Sequence, residues 1–129
     1  MGKTTSLRRI IKTNIDTIVK SYYRTADKGS IFPHAVFDFE TIDLLDINRD
    51  DLILTIDIWG KGNDTSEIED IADQIEELFN CANLPKWNVL PTFYRVSRKP
   101  IDDEDKSLIR RQLKFQIQNY VTGGRKDGE

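Results

Sequence analysis

The chain has 129 residues, a net charge of −3 and one cysteine. This length is typical of one domain with a single hydrophobic core. There is no run of roughly 18 apolar residues, so we expect no membrane-spanning helix. The first residues lack the apolar centre of a signal peptide, so we expect no secretion. Cys81 has no second cysteine with which to form an internal disulfide, which favours a reducing compartment.

The small net charge conceals an uneven distribution. Residues 1–30 carry seven Lys/Arg and two Asp, a balance of +5. Residues 31–82 carry two Lys/Arg and fourteen Asp/Glu, a balance of −12, and residues 83–129 carry ten and six, a balance of +4. The acidic middle could pair with the basic ends inside one fold, or with the basic surface of another copy. Both interpretations stay open.

The first predicted element is an amphipathic helix that runs to about Tyr23, with Ser6 as its N-cap. Its apolar residues recur at spacings of three and four; they are Leu7, Ile10, Ile11, Ile15, Ile18, Val19 and Tyr22. Its basic residues lie largely off this stripe. They form either a solvated face or a phosphate-binding face.

Two strands are predicted next, from about His34 to Ile42 and from Asp51 to Trp59. In both, apolar and polar residues alternate with the period of a half-buried strand. Residues 43–50, DLLDINRD, are predicted to be a polar connection, long enough for a loose hairpin.

A turn and a second helix follow directly. The segment GKGND at 60–64 has turn chemistry. Asp64, with Glu67 three residues later, is typical of a helix start. Apolar residues then recur with helical spacing to Phe79; they are Ile68, Ile71, Ala72, Ile75, Leu78 and Phe79.

The last third predicts two more strands, Val89 to Pro100 and Leu108 to Val121. Pro91 suggests that the first of them lies at a sheet edge or beside a bulge. Residues 122–129 are predicted to be a flexible tail. The whole pattern predicts a single α+β domain over residues 1–121. In it, an antiparallel or mixed sheet of about four strands carries the N-terminal and central helices on one face.

The residues offer little for catalysis. His34 is the only histidine, and no spacing brings it beside Cys81. Asp38, Glu40 and Asp57 on the predicted hairpin are the best case for a Mg²⁺-dependent nuclease. A solvated outer sheet face explains the same alternation without a metal. We therefore predict no catalytic site, no metal and no cofactor.

Nucleic-acid binding is the other alternative. If the last two strands pair, their cations could form a basic patch beside Tyr94 and Tyr120; the cations are Arg95, Arg98, Lys99, Arg110, Arg111 and Lys114. The acidic middle and a pI of about 5.2 disfavour a dedicated binder. Trp59 and Trp87 are interpreted either as partner contacts or as caps of the core.

The order of elements resembles a known family. A strand ending in Ile56-Asp57-Ile58-Trp59 leads through a short Gly/Asn turn into an acidic helix. An N-terminal helix precedes this unit and a long amphipathic strand, Leu108 to Val121, closes the chain. This order is similar to that of the tail-terminator and tail-completion (head–tail joining) proteins of long-tailed bacteriophages.

The resemblance implies a non-enzymatic virion protein of the tail or neck, assembled in the bacterial cytoplasm. Such proteins form a ring, commonly a hexamer, that ends the tail tube. The implied partners are other copies of the chain, the tail-tube protein, a head-completion or connector protein, and DNA passing through the lumen without sequence-specific binding.

On this hypothesis the candidate interface residues are Trp59, Lys61, Trp87, Tyr94, Arg95, Arg98 and Arg110. The candidate lumen or exposed sheet face comprises Asp38, Glu40, Thr55 and Asp57. A small adaptor or nucleic-acid-associated module is the alternative, and a metal-dependent nuclease comes third.

Overall fold

The computed structural model describes residues 2–46, 49–62 and 64–121. It contains two helices and five strands, which confirms the α+β class and adds one strand to the expected four. In chain order they are α1 (Lys3–Ile15), β1 (Ser21–Tyr23), β2 (His34–Asp46), β3 (Arg49–Lys61), α2 (Ser66–Phe79), β4 (Val89–Pro100) and β5 (Leu108–Val121). The predicted flexible tail, residues 122–129, lies outside the described residues.

The strands form one mixed sheet in the order β1-β2-β3-β5-β4. β1 runs parallel to β2, and every other neighbouring pair is antiparallel. β5 therefore lies between β3 and β4, although α2 and β4 precede it in the chain. Both helices pack into a single core on one face of the sheet, as predicted.

The alternation in β3 builds the centre of this core. Leu52, Leu54, Ile56 and Ile58 are buried under the helices, whereas the residues between Leu54 and Gly60 that alternate with them are only half-buried. Burial of one aliphatic side chain contributes about 1.5–3 kcal/mol. The predicted apolar stripe of α2 packs on these residues, which confirms its orientation.

The prediction of a first helix extending to Tyr23 is wrong, because α1 ends at Ile15. Polar side chains compete with the helical backbone bonds at this point. Asn14 Nδ2 donates to the carbonyl of Ile10, and Asp16 Oδ1 accepts bonds from the backbone N–H and hydroxyl of Ser21. Ile18 and Val19 still pack on the core, which explains the apolar period beyond the helix end.

The predicted N-cap is also wrong. Ser6 lies inside α1, fully buried, and its hydroxyl donates to Asn88 Oδ1 at 2.8 Å. The N-cap is Gly2, which supplies no side-chain bond. Beyond the helix, the residues expected to form its last turn make the short strand β1. The N–H of Arg24 donates to Phe37 O, and Lys20 O accepts from Ala35.

The hairpin strands are longer than predicted. β2 reaches Asp46 and β3 begins at Arg49, so most of the segment 43–50 is strand rather than a loose connection. Two register shifts, between Thr41 and Asp43 and between Asp43 and Asp46, interrupt the regular pairing of this part of the hairpin. Residues 47 and 48 lie outside the described residues.

α2 starts as the Asp64 signal predicts, one residue from the expected position. Asp64 Oδ1 accepts a hydrogen bond from the N–H of Ser66 at 2.8 Å, although the formal N-cap is Thr65. Glu67 and Glu69 occupy the first turn, where negative charge is favourable to the helix dipole.

β4 is an edge strand, as Pro91 predicts, and it also contains a bulge between Arg95 and Ser97. The bulge shifts the alternation of side chains. Arg95 and Arg98 therefore both lie on the helix side, opposite Phe115 and Leu113, while Lys99 faces the other side. Across residues 2–46, 49–62 and 64–121, neither helix has the length and apolar character needed to cross a membrane.

Candidate functional site

The sheet leaves one face uncovered, because both helices pack on the other. We call this uncovered side the open face. Register pairs Asp38 with Thr55, and Thr55 with Lys114, so these residues share it. All four residues predicted for a lumen or exposed sheet face line one shallow depression there; they are Asp38, Glu40, Thr55 and Asp57. Their role stays a prediction.

The best-defined contact of the open face joins β3 to β5. Asp57 Oδ1 accepts hydrogen bonds from Arg110 Nε and Gln112 Nε2, both at 3.1 Å. The Arg110 guanidinium carbon lies 4.9 Å from the centroid of the Trp59 ring, a cation–π distance. Three residues singled out from the sequence are thus one cluster, in which the charges of Asp57 and Arg110 compensate each other.

The other carboxylates of the open face do not converge. Asp38 Oδ1 accepts a bond from the N–H of Phe39 at 2.8 Å and lies 3.6 Å from Arg24 Nε, and Glu40 is exposed. No group of three His, Cys, Asp or Glu suited to a metal exists among the residues the structure describes. Asp57 is bound to Arg110, so the three carboxylates proposed for Mg²⁺, Asp38, Glu40 and Asp57, do not form a metal site.

His34 and Cys81, considered for nucleophilic chemistry, have separate surroundings. His34 is buried, its Nδ1 lies 3.0 Å from the carbonyl oxygen of Ile31, and its ring contacts those of Tyr22 and Phe32. Cys81 is exposed in the turn after α2. Among residues 2–46, 49–62 and 64–121, the contacts of His34 and Cys81 do not pair a nucleophile with a base that could activate it.

A second cluster of charges lies on the helix side. Arg98 Nη1 contacts Asp73 Oδ1 at 2.6 Å and Glu76 Oε1 at 3.0 Å, and Nη2 contacts Glu69 Oε1 at 2.8 Å. Burial disfavours the charged Arg98, but its hydrogen bonds outweigh this and raise its pKa. The hydrogen bond from Arg98 is also the main reason that the pKa of Glu69 is lowered, with Arg111 adding to it.

Part of the acidic middle of the chain is paired with cations of the same molecule. The acidic helix α2 binds Arg95, Arg98 and Arg111 from the basic end of the same chain. Intramolecular pairing therefore accounts for much of the acidic middle. Lys3 and Arg110 likewise bind Asp50 and Asp57 of the acidic middle, and Arg24 Nε lies 3.6 Å from Asp38 Oδ1.

The proposed basic patch does not exist as one surface. β4 and β5 do pair, as that hypothesis required. Its six cations divide between the two faces, however, because the bulge moves Arg98 to the helix side and strand alternation places Arg111 there. Arg110, Lys114 and Lys99 remain on the open face, and Arg110 is bound to Asp57. This arrangement disfavours a nucleic-acid site.

The candidate interface residues are spread over the molecule. Trp59 and Lys61 lie at one end of β3, with Lys61 Nζ 5.8 Å from the Phe32 ring centroid. Trp87 is 48% exposed in the loop beside β4, and Tyr94 is exposed on β4 itself. Arg95 and Arg98 are engaged by α2, so their charges are already paired within the chain.

Sequence reasoning missed several exposed apolar residues that bear on assembly. Ile42 is 51% exposed near the middle of β2, and Val96 is 54% exposed at the bulge of β4. Ile31 is 78% exposed in the loop before β2. Strand alternation cannot identify Ile42 or Val96, because each lies at a register shift where the alternation fails.

Comparison with known proteins gives a likeness in fold to a virion component. No family model matches the chain, and no curated protein matches its sequence. Among solved structures, a chain from the virion of a native gene transfer agent (GTA) particle has a similar fold, with a TM-score of 0.65 and 14% sequence identity. The match covers 91% of this chain and 90% of that chain. At this identity the likeness shows a shared fold over nearly the whole length.

Proposed function

We propose that this protein is a non-enzymatic structural subunit of a phage-like virion. The observation that carries the proposal is the near-complete match in fold to a chain of a gene transfer agent virion. On the open face, Asp57 is paired with Arg110, which also lies over the ring of Trp59, and a charge pair beside an aromatic residue suits a surface that contacts other proteins.

Within the virion, we assign the chain to the head–tail junction as a tail terminator or head–tail joining subunit. The order of elements supports this role through its likeness to tail-terminator proteins. On this assignment, copies form a ring, commonly of six, that contacts the tail tube on one side and a head-completion or connector protein on the other. DNA passes through the lumen, where a strongly basic wall would retain it through phosphate contacts. An open face whose Asp57 and Arg110 compensate each other suits that requirement.

The test is addition of the purified protein to polymerising tail-tube protein of the same particle. Electron microscopy measures tube length, and a gold label on the added protein locates it. We expect the label at one end of each tube and shorter tubes. Unchanged tubes without end label would contradict the tail-terminator assignment.

The two alternatives have distinct signatures in the same preparation. A monomer that ignores tail-tube protein and retains DNA with a steep dependence on salt would favour a nucleic-acid-associated module. Cleavage of DNA that requires Mg²⁺ and is lost in Asp57→Asn would favour the nuclease.

A further inference from the structure

The two edges of the sheet are each only half covered within one molecule. On the β2 edge, β1 pairs only with Ala35 to Phe37. Beyond Phe37, no strand pairs with this side of β2 in the described part of the chain. The N–H of Phe39 is instead bound by the side chain of its neighbour Asp38.

The β4 edge is covered over its other half. The loop before β4 covers the start of the strand, where Leu84 N–H donates to Pro91 O and Phe93 N–H donates to Ala82 O. From Tyr94 to Pro100 nothing further pairs with this edge among the described residues. Unpaired strand edges present backbone donors and acceptors that readily bind another strand.

We propose that the uncovered half of β2 in one copy pairs antiparallel with the uncovered half of β4 in the next copy. We call these segments the β2 free edge (38–42) and the β4 free edge (94–100). The inference deepens the proposed ring by naming the surface through which its copies meet. It requires no partner other than the chain itself.

Exposed side chains on the two free edges match each other. Ile42 on the β2 free edge is 51% exposed, and Tyr94 and Val96 on the β4 free edge are 39% and 54% exposed. Strand pairing between copies would cover all three apolar side chains. Glu40 is exposed on the first edge and Lys99 on the second, so the charges are also complementary.

Charge also selects this pairing over symmetric ones. Pairing β2 with β2 would bring Asp38 and Glu40 of one copy against the same acids of another, and pairing β4 with β4 would oppose two Lys99 side chains. A contact between two different edges is heterologous, and repetition of such a contact produces a ring when the rotation closes.

The direction and position of the strands agree with a continuing sheet. β2 and β4 run in opposite directions, so a copy added in the same orientation pairs antiparallel. Register places Asp38 to Thr41 level with Lys114 to Ile117 of β5, and Tyr94 to Pro100 level with Gln116 to Arg111. The two free edges therefore overlap along the sheet, and Ile42 comes opposite Tyr94 when successive copies are slightly staggered along the strands. A stagger of this kind is what allows a sheet to curl and close.

The β4 free edge also limits the contact. The bulge after Arg95 and the missing N–H of Pro100 prevent a long, flat pairing. The paired segment is consequently short, and specificity comes from Ile42, Tyr94, Val96 and the Glu40–Lys99 charge pair. A short contact of this kind is selective for its own partner edge and resists indiscriminate aggregation.

Disulfide trapping tests the inference directly. In a Cys81→Ser background, Ile42→Cys and Tyr94→Cys are combined in one chain and oxidised. Within one molecule β2 and β4 are three strand spacings apart, about 14 Å, which is too far for a disulfide. We therefore expect a ladder of linked chains on a non-reducing gel, which reductant collapses. Each single cysteine variant, and Ile42→Cys combined with Glu77→Cys on the exposed side of α2, should stay largely unlinked.

Absence of the ladder, or equal linking in the single variants, would overturn the inference.

Exchange of the charged residues provides a second test, in which the oligomer mass is measured in solution at low salt. Lys99→Glu should lower the oligomer fraction at least several-fold, Lys106→Glu in the exposed loop should not, and adding Glu40→Lys to Lys99→Glu should restore it. If the protein forms the ladder but does not cap tail tubes, the proposed edge contact is supported and the proposed tail role is contradicted. If it caps tail tubes but forms no ladder, the tail role is supported and the edge contact is contradicted.

Discussion

Arg98 Nη1 donates a hydrogen bond to Glu76 Oε1 at 3.0 Å and thereby joins the edge strand β4 to the helix α2. The same guanidinium contacts Glu69 and Asp73, so one side chain bridges three acids of the acidic middle, with Arg95 and Arg111 supplying further positive charge to Glu76 and Glu69. Arg98→Ala should lower the free energy of unfolding by about 1 kcal/mol, because three carboxylates lose a charged hydrogen-bond donor. The loss is limited because Glu76 keeps its contact with Arg95, Glu69 keeps its contact with Arg111, and Asp73 is exposed to water. Urea denaturation measures this, with Lys106→Ala as a control expected within about 0.5 kcal/mol of wild type.

The variant Arg98→Lys tests whether the stabilisation depends on the positive charge alone or also on the shape of the guanidinium group. An ammonium keeps the positive charge but cannot reproduce the planar fork that reaches three carboxylates. We expect a stability between those of the wild type and Arg98→Ala. Equal stability of Arg98→Lys and wild type would mean that charge alone accounts for the contact.

Glu69 makes stability depend on acid pH. The hydrogen bond from Arg98 lowers the pKa of Glu69 from its ordinary value of 4.5. The native state therefore favours the ionised carboxylate, and this stabilisation is complete above the unfolded pKa and is lost as pH falls through the lower, folded pKa. The free energy of unfolding should decline from about pH 5 to about pH 3. Glu69→Gln should make that decline shallower, whereas Glu67→Gln, in the exposed first turn, should have a smaller effect.

Gly60 fits directly beneath α2. A Cβ placed on Gly60 would lie 2.6 Å from Cγ1 of Ile68 and also contact its Cδ1, and Ile68 is fully buried. Gly60→Ala should lower the free energy of unfolding by about 1–3 kcal/mol through overpacking. In the Ile68→Ala background the same change should cost much less, and a double-mutant cycle measures the difference. Additive losses would exclude this contact as the cause.

Asn119 is the clearest candidate for stabilisation. Its side chain is 2% exposed, and its Oδ1 has no hydrogen-bond partner among the described residues. An unsatisfied buried acceptor costs about 1–3 kcal/mol. We expect Asn119→Leu to raise the melting temperature and the free energy of unfolding by about 1 kcal/mol. Gln118→Leu on the open face serves as the control, and a loss of stability in Asn119→Leu would show that the amide is bound in solution.

The sequence predicted those elements whose periods are long and regular. β3, α2 and β5 follow from alternation or helical spacing over about a dozen residues, so their buried faces were correctly assigned. β1 has only three residues, too few for a period, and exists because β2 accepts it as a parallel neighbour. The end of α1 depends on Asn14 and Asp16, whose side-chain bonds outweigh a continuing apolar pattern.

Only part of the candidate site could be predicted from the sequence. Alternation placed Asp38, Thr55 and Asp57 on one face, but the contact of Asp57 with Arg110 depends on the register between β3 and β5. No local pattern determines that register. The bulge in β4 also has no recognisable signal in the sequence. It is the reason that Arg98 lies on the helix side of the sheet, where it contacts α2.

The position of β5 has a consequence for how the protein is made. Because β5 lies between β3 and β4, the ladder of β4 within the sheet is made with residues 111–121. During synthesis on the ribosome, β4 is therefore complete before the strand that joins it to β3 exists. Until β5 has been made, the side of β3 that β5 will cover has no partner in the sheet and can pair with a strand of another nascent chain.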